Sequence, residues 1–458
     1  MRGGVDVIYQ AALRRGRWQG YSDFLERVER PSALGDFSYE AVDTKLKRSA
    51  DPKHALQLSI YSQAVAEVQA VLPAMAHVQL GNGERSTFLV KDAVYYASRL
   101  AERLETFVDA PWQTVPEPVA ACSLCRWREH CDVVWTEADS LVQVAGMTRQ
   151  QRRKLKNAGL ATMRSFASSE CQVPGIQEDV LWRLRTQAQL QTRRRDGAAP
   201  SYVLRPLETG RGLLRLPQPS PGDLFFDMEG DPLIDGGREY LFGVYHETRG
   251  PEFRAWWAHD EEQERKATDE VLSFFTSHLD RNPGAHVYHY NHYEVTALKR
   301  LATKYGVAEH HLDHLLRTLK FVDLYRVVQQ ALIASEPGYS IKDLEAFYME
   351  SREGEVATAS ASIIAYERWL ETGDETILDH IAAYNEVDCR STKRLRDWLV
   401  EEVRPHHLPW FVPTAPESST PTEEPERAAL RGRIESLRPE IGDRLADLVF
   451  ELNGFHKR

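Results

Sequence analysis

The segment 222–231 reads as a short apolar strand with acidic residues at alternate positions near its end, Asp227 and Glu229. Because successive side chains of a strand point to opposite faces, these two carboxylates are expected to project from the same side. Two carboxylates held that close repel each other unless a cation lies between them. Mg²⁺ and Mn²⁺ prefer oxygen ligands and also bind phosphates. The pattern indicates a divalent-metal site, although a solvated strand end before a Gly-Asp-Pro turn is the alternative.

Two later segments contain further residues that could complete such a site. Glu294 opens a predicted helix, about 293–305, directly after a predicted strand. Asp388 lies inside a long predicted helix, about 375–403. Tyr384 is expected to share a face with Asp388, because residues four apart are neighbours on a helix surface.

These residues resemble the 3′–5′ exonucleases of the ribonuclease H-like superfamily, specifically the DEDD group with a tyrosine in its last motif, and in particular the YprB-type domain. Asp227 and Glu229 match the first motif, Glu294 the second, and Tyr384 with Asp388 the third. The resemblance implies a mixed sheet flanked by helices over 222–403. It also implies hydrolysis between two Mg²⁺ or Mn²⁺ ions held by the four acids, with the tyrosine orienting the attacking water. The second motif usually has Asp, so the longer Glu puts the metal geometry in question.

A second set of candidate residues lies near the start of the chain: Asp23, Asp43, Lys45, Gln57 and Tyr61. The second acid and the lysine share a face of a predicted strand, 39–45, and the last two residues share a face of a predicted helix, about 52–71. This set resembles the RecB-like nucleases of the PD-(D/E)XK superfamily. The resemblance implies a partial restriction-endonuclease-like α/β unit over 1–135. In it the two acids would hold a metal ion, the lysine would orient the water, and the glutamine and tyrosine would contribute to the site and contact DNA.

Three cysteines, Cys122, Cys125 and Cys131, follow this segment at the spacing Cys-X2-Cys-X5-Cys. Thiolates at such a spacing indicate either zinc or an iron–sulfur cluster. RecB-like nucleases with an iron–sulfur staple carry a fourth cysteine far upstream, whereas no cysteine precedes Cys122 here. We therefore expect a 4Fe–4S site that has lost one ligand together with an N-terminal segment. A zinc site completed by His130 is the alternative.

The segments around the two nuclease-like units are expected to connect them or to contact nucleic acid. Residues 140–170 are similar to a helix-hairpin-helix module, with a plain helical linker as the alternative, and 171–220 is expected to be a basic linker. Residues 404–427 are rich in Pro, Ser, Thr and Glu and predict a flexible linker before a terminal helix, 428–458. No Gly-X-X-X-X-Gly-Lys-Ser/Thr motif is present. In the RecB-like proteins that this chain resembles, both units precede a helicase. The resemblance therefore implies a helicase partner that is encoded separately or has been lost by truncation.

The whole sequence predicts a cytoplasmic α/β protein that acts on nucleic acid. No apolar run is long enough to span a membrane, and the N-terminus lacks a signal-peptide core. The net charge of −11 argues against a uniformly basic coat but allows a local basic groove. We expect a 3′–5′ exonuclease that acts on single-stranded DNA, rather than RNA, in repair or recombination. The alternatives are a non-catalytic nucleic-acid-binding scaffold, and a nuclease whose main activity lies in the RecB-like unit.

Overall fold

The computed structural model describes residues 1–47, 49–112, 114–232, 234, 236–350, 359–413, 425–446 and 448–449. The chain divides into two compact units, Met1–Val115 and Pro116–Arg458. Both contain strands and helices, so the expected α/β class is confirmed. Residues 414–424 of the expected linker at 404–427 lie outside the described residues. In the described part of the chain, no helix combines the length and the apolar character needed to cross a bilayer.

The first unit is a five-stranded sheet with two helices. Its elements are β1 (Val7–Arg15), β2 (Trp18–Val28), β3 (Ser38–Lys45), α1 (Pro52–Gln69), β4 (Met75–Leu80), β5 (Arg85–Leu89) and α2 (Val90–Asp109). The strands pair in chain order and antiparallel, except that β3 and β4 are parallel because α1 crosses between them. Helix α1 begins where Asp51 accepts a hydrogen bond from the backbone N–H of Lys53 and donates its own backbone N–H to His54.

The second unit opens with helices and one short strand: α3 (Arg128–Glu137), α4 (Arg149–Asn157), α5 (Met163–Ala167), α6 (Glu178–Arg195) and β6 (Tyr202–Leu204). The expectation of a linker over 171–220 is wrong, because α6 lies within it. Leu181, Leu184 and Ala188 of α6 recur at helical spacing and are buried in the core shared with α4 and α5. The arginines of α6 give the segment a basic composition that concealed this apolar stripe.

The rest of the second unit is built around a second five-stranded sheet. Its elements are β7 (Leu224–Asp231), β8 (Arg238–His246), β9 (Glu252–Trp257), α7 (Glu261–Arg281), β10 (Val287–His289), α8 (Tyr293–Tyr305), α9 (Glu309–Arg317), β11 (Phe321–Asp323), α10 (Leu324–Ala331), β12 (Leu332–Ala334), α11 (Ile341–Leu344), α12 (Ala359–Thr372), α13 (Glu375–Trp398) and α14 (Pro425–Ile441). The strand order is β11-β10-β7-β8-β9. Strands β7, β8 and β9 pair antiparallel, whereas β10 and β11 run parallel to β7. The expected mixed sheet is therefore confirmed.

Helices cover both faces of this sheet, and the central strand β7 supplies side chains to both layers. Leu224, Phe226 and Met228 point toward the core that contains α7, α8 and α9. Phe225 points the other way, toward the core that contains α10 and α13. Burial on both faces explains the nearly continuous apolar run of the strand. By the same alternation, Asp227 lies on the α13 side of the sheet.

Candidate active site

Strand β7 and helix α13 bring three carboxylates together. Asp227 and Glu229 are two residues apart on β7 and share its α13 face. Asp388 lies in the middle of α13, which packs along β7 and β8. Each of the three residues offers an oxygen that lies within 4.8 Å of the oxygens offered by the other two.

The electrostatics of these three acids favour a cation between them. Burial, with the charges of Asp388, Glu229 and Glu294 adding to it, raises the pKa of Asp227 well above its ordinary value. Burial, with the charge of Asp388 next, raises the pKa of Glu229 to about 8. A hard divalent ion would relieve both the burial and the repulsion, because it supplies positive charge to oxygen ligands. The three residues therefore fit a Mg²⁺ or Mn²⁺ ion.

Asn385 fixes the first of these acids, and a glycine makes room for it. The Asn385 side-chain amide donates a hydrogen bond of 2.8 Å to Asp227 Oδ2 and is fully buried. Opposite Asp227 on β8 lies Gly243, where an added Cβ would lie 1.6 Å from Asn385 Oδ1. Sequence reasoning missed both residues. A glycine inside an otherwise apolar strand often marks a close backbone approach, and it was the available signal.

Tyr384 precedes Asp388 by one turn of α13 and contacts a lysine from a distant segment. The Lys342 ammonium on α11 donates a hydrogen bond of 2.9 Å to Tyr384 Oη and lies 4.9 Å from the ring centroid. Burial, with the charges of Asp388 and the β7 acids adding to it, raises the pKa of Tyr384 above its ordinary value. The phenol therefore keeps its proton near neutral pH and can donate a hydrogen bond. Sequence reasoning did not single out Lys342.

Glu294 lies beside the three acids but is not one of the three whose oxygens converge. It is buried in the first turn of α8, with Oε2 3.4 Å from His289 Nδ1. The same nitrogen lies 2.6 Å from the carbonyl oxygen of Asn291, to which it donates. Burial raises the pKa of Glu294 although His289 opposes the shift. Glu294 Oε2 accepts no hydrogen bond from the described residues, which leaves it available to a ligand.

In the first unit, the predicted residues Asp23, Asp43 and Lys45 also meet. Asp23 Oδ2 accepts hydrogen bonds from the backbone and hydroxyl of Thr44, at 2.7 and 2.6 Å. Burial alone would raise the pKa of Asp23, but these hydrogen bonds lower it. Asp43 is buried and forms an ion pair with Lys45. Burial raises the pKa of Asp43 despite Lys45, and the Asp23 carboxyl adds to the shift.

The other two predicted residues of this unit pair with each other on α1. Gln57 donates a hydrogen bond of 3.1 Å to Tyr61 Oη. Together with Trp18 and Arg15, both residues line a cavity of ≈ 190 Å³ between α1 and the strands. None of the three charged residues Asp23, Asp43 and Lys45 is part of that lining.

The predicted metal site at the cysteines does not take shape in the structure. Cys122, Cys125 and Cys131 are free thiols, and in the described part of the chain the group of three that could hold a metal is the acidic one. Burial, with the two neighbouring thiols adding to it, raises the pKa of Cys131. The His130 ring packs edge-on against Trp127.

The comparison with known families covers the acidic site. Residues 224–400 match the family model RNase_H_2, which is described as the RNase_H superfamily. No curated protein matches the chain. The matched residues run from the first residue of β7 to just beyond the end of α13, so they include every acid described above in the second unit. The C-terminal part of this chain therefore contains a ribonuclease H-like domain, which indicates nuclease chemistry on nucleic acid with a divalent metal.

Proposed function

We propose that the protein is a metal-dependent 3′–5′ exonuclease that hydrolyses single-stranded DNA at Asp227, Glu229 and Asp388. The observation that carries the proposal is the convergence of three carboxylate oxygens within 4.8 Å on the central strand and facing helix of a ribonuclease H-like domain. Three like charges crowded at one partly buried point are costly in a structural role, whereas a metal site requires them.

The side chains around the acids have separate tasks in this mechanism. Asp227, Glu229 and Asp388 would hold the ion, and Asn385 keeps the first carboxylate in place through its hydrogen bond. When bound, a divalent ion polarises the phosphoryl group and makes bound water more acidic. The Tyr384 phenol keeps its proton and can orient a water molecule by donating to it.

Two further side chains support this arrangement from outside the group of three. Lys342 donates to Tyr384 Oη, so the phenol's own proton points away from the ammonium and toward Asp388, with which the phenol forms a hydrogen bond. Glu294 presents an oxygen without a hydrogen bond from the described residues, next to His289. It would support a second ion or a water molecule.

The tyrosine one turn before Asp388 supports the 3′–5′ exonuclease assignment, because the DEDD group described above has this pair in its last motif. The preference for DNA, the setting in repair or recombination, the cytoplasmic location and a separate helicase partner are part of the same proposal. They rest on the sequence resemblance. A metal at the cysteines also rests on their spacing alone.

Oligonucleotides blocked at either end test the proposal. Wild-type protein with Mn²⁺ is expected to shorten single strands with a free 3′ end and to leave 3′-blocked strands intact. Asp227→Asn is expected to lower the rate by a factor on the order of 10²–10³. Asp313→Asn, which removes an exposed acid of α9, is the matched control and should keep full activity. Equal degradation by wild type and Asp227→Asn would disprove the assignment.

The first unit is a second candidate nuclease site, because the structure brings Asp23, Asp43 and Lys45 together. Comparison of Lys45→Ala with Asp388→Ala decides which site carries turnover. If the proposal is right, Asp388→Ala loses the 3′-dependent cleavage and Lys45→Ala keeps it. The reverse result would move the activity to the first unit. Calorimetric titration with Mn²⁺ tests the scaffold alternative, since a scaffold would show no carboxylate-dependent binding.

A further inference from the structure

A cavity of ≈ 270 Å³ opens beside the acidic site, at the β11 edge of the second sheet. Its walls come from β11, the first two turns of α8, the first turn of α10, and the segments around Arg215 and Phe411. His289, which contacts Glu294, is part of the lining. Strand β10 alone separates β11 from β7, and neighbouring strands lie about 4.8 Å apart. A ligand at the three acids can therefore extend into this cavity.

The cavity carries a surplus of positive charge. Arg215, Lys299 and Arg326 line it, and none of them forms an ion pair with a described residue. Among the described residues of the lining the one acid is Asp323, whose Oδ1 accepts hydrogen bonds from the backbone N–H groups of Asn291 and Arg326. Two other arginines of this domain form ion pairs with buried acids. Arg300 pairs with Glu239, and Arg396 pairs with Asp223. Three cations around one opening, without an acidic partner in the described part of the chain, favour an anionic ligand.

Part of the remaining lining is apolar and includes two phenyl rings, beside the polar side chains of His289, His292 and Thr296. Phe321 and Phe411 lie in the wall together with Pro217 and Leu319. The backbone N–H of Phe411 donates to the Leu216 carbonyl, at 2.9 Å, which fixes this wall against the start of the domain. Aromatic side chains provide stacking surface for any nucleobase. The cavity is therefore complementary to a nucleotide, because its cations match the phosphate and its apolar wall matches the flat base.

We propose that this cavity binds one unpaired nucleotide of the substrate strand, next to the nucleotide whose phosphate lies at the three acids. Arg215, Lys299 and Arg326 contact its phosphate, and the base lies against Phe321 and Phe411. The small volume admits a single nucleotide but no base pair, so the cavity selects single strands. The inference rests on the proposed function for the position of the strand, but binding can be measured without turnover.

Fluorescence anisotropy of a labelled oligothymidylate, with the full chain in EDTA, tests the inference. Each single-strand phosphate contact adds a salt slope of about 0.7, so loss of one contact weakens binding about threefold at ~200 mM salt and about eightfold at ~50 mM. Arg326→Ala and Lys299→Ala are both expected to show these losses. The matched control is Arg249→Ala, which removes an exposed cation between β8 and β9, at the opposite edge of the sheet. Its binding should equal that of wild type.

Three results would overturn the inference. The first is equal binding by wild type, Arg326→Ala and Lys299→Ala, with thermal melting showing that the variants are folded. The second is an equal loss for a blunt duplex of the same sequence, which would make the cations general phosphate contacts. The third is competition by thymidine monophosphate as tight as that by the strand, which would make the cavity a site for free nucleotides. Failure of the proposed function appears separately, as activity that survives Asp227→Asn.

Discussion

The close approach of α13 to β8 predicts that Gly243→Ala disrupts the candidate site. An added Cβ would lie 1.6 Å from Asn385 Oδ1, where ordinary contacts are 3.4–4 Å, and 3.0 Å from the Phe253 ring. Strand β8 cannot shift easily, because it pairs with β7 on one side and β9 on the other. The clash must therefore displace Asn385, which breaks its hydrogen bond to Asp227.

The magnitude follows from this geometry. Overpacking of a core usually costs about 1–3 kcal/mol, and a shortfall of nearly two ångströms against buried neighbours places Gly243→Ala at about 3 kcal/mol. Thermal unfolding should show a Tm lowered by roughly 6–12 °C, at about 2–4 °C for each kcal/mol. Loss of the Asn385 contact should lower exonuclease activity by about 10–100-fold, as for other residues that orient metal ligands.

Two further variants separate the clash from a general effect of alanine. Gly284→Ala is the matched control, because an added Cβ there meets nothing within 4 Å, and its Tm should stay unchanged. Gly243→Ala combined with Asn385→Ala should recover much of the lost stability, because the clash is gone, but none of the lost activity. The coupling between the two substitutions should be about 1–3 kcal/mol. Wild-type Tm and wild-type activity in Gly243→Ala would refute the reasoning.

The acidic site and its surroundings support three more predictions. Burial raises the pKa of Glu229 from 4.5 to about 8. Between these two pH values the folded state binds more protons than the unfolded state, so the free energy of unfolding falls as the pH rises from 4.5 to 8. Mg²⁺ binds the ionised carboxylates, so it should raise the Tm more near pH 8 than near pH 4.5. An equal rise in Tm at both pH values, or the same rise in Asp227→Asn, would contradict a metal site at these acids. Lys342→Met keeps the length of the side chain but removes the donor to the tyrosine, and should lower kcat by about 10–100-fold with unchanged Mn²⁺ affinity by calorimetry. Arg396→Met leaves the buried Asp223 carboxylate without its ion-pair partner and should cost about 3–5 kcal/mol in denaturant unfolding, whereas a loss below 1 kcal/mol would show that the pair is dispensable.

Local periodicity is sufficient to predict the elements that carry the acids. The alternation of β7 places Asp227 and Glu229 on one face, and the four-residue spacing on α13 aligns Tyr384 with Asp388. Helix α8 has the predicted bounds. These features depend on residues close together in the sequence, so a single sequence contains the necessary information.

Contacts between distant segments could not be predicted in this way. Lys342 reaches Tyr384 from 42 positions away, and Gly243 makes room for Asn385 from another layer of the fold. No periodic pattern specifies such a pair. Composition was also misleading for α6, where arginines concealed a buried apolar stripe. The cysteine spacing predicted a metal centre, but in the described residues the three thiols are not among the groups that converge as metal ligands.

The cost of the acidic cluster decides between the nuclease and the scaffold interpretation. A scaffold that only binds nucleic acid gains nothing from Asp227, Glu229 and Asp388, because buried carboxylates repel both one another and a phosphate backbone. Substitution by amides or apolar residues of similar volume would be neutral or stabilising in that case. The raised pKa values of the two β7 acids show that the fold opposes their ionisation when no cation is present. These acids, beside the hydrogen-bonded amide of Asn385 and next to a cationic cavity, favour the nuclease interpretation, in which they would bring a metal ion and a phosphate together.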